Sequence, residues 1–186
     1  MKYTYYIFIL FVYVTTGCKE KKETSKGIAI SVVSIIKGQV NHLDTSLYQI
    51  MKYETKNSKT DTSYLKREEV RGLANSFLNL PDISKNNYED NYTEERLIDQ
   101  GQNTLSIIAT AKNEKLEIQK QIIIVPLDEL AAGKVQSIYI DRFVQVNNID
   151  TEQKLFWQVD KFFQAGNIIQ AGGPGEKTEI IKVTWQ

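Results

Sequence analysis

The chain has a single cysteine, Cys18, a single histidine, His42, and only three prolines. With no second cysteine an internal disulfide is excluded, so a packed core must hold the fold by itself. One histidine and one cysteine are too few for a zinc site of the usual His/Cys kind. A Ser-His-Asp or Cys-His arrangement would have to use His42, which falls on an apolar-periodic helix where a structural role is expected. Charge of one sign is also missing: 23 Lys and Arg balance 23 Asp and Glu. No basic run beyond the short stretch after Cys18 offers the clustered cations that phosphate backbones require, which argues against a nucleic-acid partner. A phosphate loop is absent too. Gly172 to Thr178 reads GGPGEKT, but Glu176 separates Gly175 from Lys177 and a strand pattern follows, so no helix N-terminus faces a phosphate. No metal or cofactor is expected.

Long apolar runs are scarce as well. Tyr5 to Val14 is uncharged, but at about ten residues it falls short of the roughly 20 that span a bilayer as a helix. Preceded by Lys2 and followed by Thr15, Thr16 and Gly17, it has the layout of a secretory signal peptide over residues 1–17. Thr15-Thr16-Gly17-Cys18 resembles the lipobox of bacterial lipoproteins, departing from it at Thr15, where leucine is commonest. The resemblance implies cleavage before Cys18, acylation of its thiol and a membrane anchor. Two or three acyl chains hold durably, since each buried CH2 contributes about 0.8 kcal/mol. Residues 18–27 are rich in charge and lack large apolar side chains, the composition of a solvated tether. Lys19 stands where an acidic residue resembles the inner-membrane retention signal of enteric bacteria, so the expected location is the outer membrane, facing the periplasm or the surface. Lys19-Glu20 loosely resembles the export tethers of some Bacteroidota surface lipoproteins.

About 169 residues remain after cleavage, which suits one domain over residues 28–186. Ile36, Val40, Leu43, Leu47 and Ile50 recur at helical spacing until Asp44-Thr45-Ser46 interrupts, predicting a helix from about Ala29 to Leu43 and a strand from about Ser46 to Glu54. A second helix is predicted after Thr60-Asp61-Thr62-Ser63, which can cap it. Its stripe is Val70, Leu73, Ala74, Phe77 and Leu78, its wet face Lys66 to Arg71, and its stop Pro81. From Tyr92 onward the period becomes that of strands: Thr104 to Ala111, Glu117 to Val125, Val135 to Val146, Gln153 to Gln164, a piece near Asn167 to Gln170, and Glu176 to Trp185. Short turns rich in Asn, Asp, Gly and Pro join several of them and imply antiparallel hairpins. The expected class is α+β, with two N-terminal helices packed on a curved antiparallel meander of about six to seven strands.

One hairpin can be registered. Placing Ile140 opposite Trp157 and Ile138 opposite Val159 aligns the apolar faces across a four-residue loop. The other face then carries Tyr139, Asp141, Phe143, Phe156, Gln158, Asp160 and Phe162. Rings interleaved with amides and carboxylates suit a glycan or peptide ligand. The alternative is a helix covering this face and burying the rings. Three functions follow: a lipid-anchored envelope protein with a non-catalytic binding or assembly domain, preferred; an envelope hydrolase using Asp141 and Asp160 as paired carboxylates; or a carrier of an apolar ligand in a cavity between helices and sheet. The lipobox generates its own test. Intact-mass analysis of membrane-extracted protein is expected to show diacylglycerol on a chain starting at Cys18, and Cys18→Ser is expected to release a folded domain; an unmodified soluble mature chain would contradict the assignment.

Overall fold

Ser31 opens the first helix. Its backbone is extended, and its hydroxyl accepts the Ser34 N–H at 3.2 Å, satisfying a donor that helix starts leave unpaired. Helix α1 (Val32–Thr45) buries Val32, Val33, Ile36, Val40 and Leu43 along one face. It ends where the Ser46 N–H and hydroxyl both donate to the Leu43 carbonyl. The apolar spacing runs on to Leu47, but Leu47 is 92% exposed in the following loop, because these caps have already closed the helix. The computed structural model describes residues 30–85, 88–146, 149–169 and 177–186. The signal peptide, Cys18, the tether and the Ala171 to Gly175 turn lie outside them.

After α1 the chain makes a hairpin that the sequence pattern does not reveal. Strands β1 (Ile50–Lys56) and β2 (Lys59–Tyr64) meet at Asn57 and Ser58, both at positive φ, as a two-residue I′ loop requires. Thr60-Asp61-Thr62-Ser63 is therefore part of an edge strand and not a helix cap. Every residue of β2 is exposed, so no apolar alternation marks it. The second predicted helix is two short ones, α2 (Arg67–Leu73) and α3 (Asn75–Leu78), divided at Ala74. Its stripe survives the break, with Val70, Ala74 and Phe77 buried. Glu69 caps α2 by accepting the Lys66 N–H at 2.9 Å.

A short helix, α4 (Tyr88–Asn91), leads into β3 (Tyr92–Asp99), β4 (Thr104–Ala111) and β5 (Ile118–Pro126). A 3-10 turn at Leu127–Ala132 precedes β6 (Ser137–Val146), β7 (Ile149–Gln158), β8 (Phe162–Ile169) and β9 (Lys177–Trp185). All pair antiparallel in one nine-stranded sheet of order β2-β1-β9-β8-β7-β6-β5-β4-β3. The fold is thus mixed helix and antiparallel sheet, but the expectation of two N-terminal helices on six or seven strands is corrected in two respects. The hairpin β1–β2 intervenes between the helices. Strands β2 and β3 sit at the edges, where charged residues such as Glu94, Glu95 and Arg96 hide the period while guarding against further pairing.

The predicted strand from Gln153 to Gln164 is also two strands. Asp160 takes a positive φ of 60° in the turn between β7 and β8, and the chain reverses there. Ile138 lies opposite Trp157 and Ile140 opposite Leu155, two residues from the predicted register. A shift of two leaves the side chains that stay within β6 and β7 on their predicted face, whereas a shift of one would have inverted the sheet.

Alternate positions of the strands form the core with the helices. Trp157 stacks on Phe163 with ring centroids 4.9 Å apart, and Phe77 of α3 meets both edge-on at 5.2 and 5.5 Å. Trp185 abuts the same cluster. The Trp157 indole N–H has no oxygen acceptor among the described residues, so this side chain contributes by packing. Trp157→Ala is expected to cost about 3–5 kcal/mol in denaturant unfolding, and Trp157→Phe distinctly less, since it keeps a ring and removes an unsatisfied donor. Near-wild-type stability for Trp157→Ala would place the core on the wrong face.

Candidate functional site

The pairing of nine strands fixes what the face opposite the helices displays. One row crosses the sheet as Glu95, Ile108, Ile122, Tyr139, Phe156, Gln164, Lys182, Tyr53 and Thr62, each opposite the next. A neighbouring row contains Lys120, Asp141, Lys154, Gly166 and Ile180. On the other side Ser137, Gln158, Phe162 and Thr184 are aligned. Tyr139, Phe156 and Phe162 are half-buried by their neighbours within the sheet, and Phe143 is 49% exposed. α1, α2 and α3 supply buried side chains to the core on the opposite face, where α4 and the 3-10 turn add Tyr88 and Leu127.

Of the seven residues picked from sequence, Tyr139, Asp141, Phe156 and Phe162 come together near the middle. Phe156 and Phe162 have ring centroids 5.6 Å apart. Phe143 and Gln158 lie toward opposite ends, beside shallow depressions of about 440 and 390 Å³. Asp160 does not share this surface. In its turn it accepts the Gln39 side-chain N–H at 2.9 Å and donates its own backbone N–H to Gln39 Oε1 at 2.8 Å, tying the turn to α1. Asp141 lies opposite Lys154, six residues from Asp160, so the two carboxylates are about 20 Å apart along the strand. Paired carboxylates for glycoside hydrolysis sit within about 10 Å, and this pair cannot serve.

Sequence reasoning missed the residues that surround Asp141. Glu152, diagonally across the hairpin, pairs with Lys154 at 3.1 Å. Burial, and then the Glu152 charge, push the Asp141 carboxyl above the usual carboxylate range, against the attraction of Lys154 and Lys120. Asp141 Oδ1 is buried without a hydrogen-bond partner among the described residues. Burial and the Asp141 charge likewise raise the Tyr139 phenol. Extending the period-two alternation across every predicted strand, beyond the one hairpin, would have brought in Lys120, Lys154 and Lys182.

On the helix side of the sheet lies a second polar group, unforeseen because its members alternate with apolar residues. Arg142, whose side chain is 7% exposed, donates to Glu117 at 2.7 Å and to Gln153 at 2.9 Å, and Gln153 donates to Asn167 at 2.8 Å. These partners satisfy a buried cation and point to a structural role. His42, expected to have a structural role on the apolar-periodic helix, is exposed in the last turn of α1, edge-on to Tyr48 at 6.0 Å. Among the described residues no three His, Cys, Asp or Glu side chains gather as a metal would need, and no helix is long and apolar enough to cross a membrane.

Comparison with protein families, with characterised proteins and with solved structures finds no match. The site must therefore be interpreted from its own chemistry. Because the folded Asp141 binds its proton more readily than the unfolded chain does, stability falls as pH rises from the ordinary carboxylate range through the raised value. Asp141→Asn is thus expected to raise the thermal midpoint at pH 7 and to leave it unchanged below about pH 3, read from melts across a pH series. A lowered midpoint at pH 7 would mean that the lysines govern this carboxylate instead of burial.

Proposed function

We propose that the chain is a lipid-anchored protein of the bacterial outer membrane, tethered through Cys18, whose domain binds an envelope component on its open sheet face without catalysis. The observation that carries this reading is the one-sided placement of the helical elements, which leaves Tyr139, Phe156, Phe162 and Gln158 facing outward. Half-exposed rings that keep amides and charges beside them are suited to anchoring a ligand, and aromatic anchors commonly dominate binding energy. The anchor itself rests on the lipobox resemblance and is independent of the sheet. A hydrolase is disfavoured by the distance between Asp141 and Asp160. A carrier is disfavoured because Trp157, Phe163 and Phe77 fill the space between helices and sheet.

The double change Tyr139→Ser with Phe156→Ser tests the reading. Unfolding stability is expected to stay within about 1 kcal/mol, since outward positions usually change little. Retention of the purified chain on isolated peptidoglycan sacculi or outer-membrane vesicles is expected to drop. A large loss of stability would make the rings core residues and remove the surface; unchanged retention on both materials would remove its binding role.

A further inference from the structure

Strand β2 closes one end of the sheet order and leaves one side of its backbone unpaired. The Leu65 N–H donates to the Ile50 carbonyl at 2.9 Å, so by alternation Ser63, Asp61 and Lys59 bond to β1, while the N–H and C=O groups of Thr60, Thr62 and Tyr64 point outward. Its pairing with β1 is regular, and no bulge or proline blunts the edge. Side chains on both faces of β2 are exposed, so the helical layer does not overhang it. Tyr64 is 72% exposed, and among the described residues the Asp61 carboxylate and the Ser63 hydroxyl have no partner.

What such an edge accepts depends on which side chains would meet across it. When two copies of one strand pair antiparallel about a two-fold axis normal to the sheet, one residue sits on the axis and meets itself, and its neighbours on either side meet each other. At the opposite edge, every register of β3 with good overlap brings like charges together: Glu94, Glu95 or Arg96 against itself, or Glu95 against Asp99. That edge is guarded. In β2, axes on Lys59 or Asp61 have the same fault, and axes on Thr60 or Ser63 run the strand past its ends, at Ser58 and Leu65. An axis on Thr62 has neither fault. It pairs Thr62 with Thr62 and Thr60 with Tyr64 through the outward backbone groups, setting a β-branched side chain beside a ring. It also sets the Ser63 hydroxyl of each copy against the Asp61 carboxylate of the other, so the free donor meets the free acceptor.

We propose that β2 pairs with β2 of a second copy of this chain, antiparallel about Thr62, joining two sheets edge to edge. The helices of both copies then lie on one side and both open faces on the other, so the pairing leaves the open face uncovered and does not depend on what binds there. An edge contact of about six backbone hydrogen bonds is smaller than a standard interface, so association is weak in dilute solution and favoured where copies are confined to one surface. Disulfide trapping tests it on the full chain carrying Cys18→Ser, in which an added cysteine is the only thiol. A hydrogen-bonded antiparallel pair has its Cα atoms about 5.5 Å apart, within the disulfide range of about 4.4–6.8 Å. Thr62→Cys is therefore expected to cross-link under mild oxidation at least about tenfold faster than Ser58→Cys or Glu95→Cys, at positions that are also exposed.

Without the added thiol, sedimentation of the same chain at rising concentration is expected to show a monomer–dimer equilibrium. Ser63→Lys is expected to tighten it about fivefold, because each lysine would face the other copy's Asp61, and Ser63→Asp to weaken it by a similar factor. Both changes fall on an exposed side chain, so the fold tolerates them. Equal cross-linking of Thr62→Cys and Ser58→Cys, a chain that stays monomeric up to millimolar concentration, or Ser63→Lys associating no more tightly than Ser63→Asp would overturn the proposal. Fastest cross-linking at Glu95→Cys would move the contact to β3, and growth beyond a dimer would mean that β2 pairs with β3 of the next copy. Either result would overturn it as well.

Discussion

The contact of Phe77 with Trp157 and Phe163 decides which side of the sheet is inside. Three rings from α3, β7 and β8 meet in mutual contact, and α1 lays Ile36, Val40 and Leu43 into the same core. Once these side chains are committed, the two-residue alternation of a strand assigns every other position. Tyr139, Phe156 and Phe162 must point away, because their neighbours point in. The open face is thus a consequence of the core, and a chain without disulfides has only that core to maintain it.

A sheet of nine strands with helices on one side presents an unusual amount of outward surface. Mixed charge is one way to keep such a surface in solution. Lys120, Asp141, Lys154 and Glu152 supply charges of both signs close together, and half-buried Glu152 pairs with exposed Lys154.

Much of this was legible in the sequence, and what was missed has physical causes. The face bearing Tyr139 and Phe156 could be assigned because Ile138, Ile140, Leu155 and Trp157 alternate strictly with polar or aromatic neighbours. The register could not, since a slip of two residues preserves the same alternation. Strand β2 was hidden because none of its residues is buried, and the β7–β8 turn because Asp160, not glycine or proline, supplies the positive φ. That substitution also carried Asp160 wrongly onto the candidate face. The break at Ala74 was invisible because the buried stripe crosses it unchanged.

The measurement that bears most directly on the central claim is hydroxyl-radical footprinting of the full chain carrying Cys18→Ser, free of lipid and ligand. One-sided packing predicts strong labelling of Tyr139, Phe143, Phe156 and Phe162 together with protection of Phe77, Trp157 and Phe163. Protection of Tyr139 and Phe156 to the level of Trp157 would contradict it, since the rings assigned to the open face would then be buried.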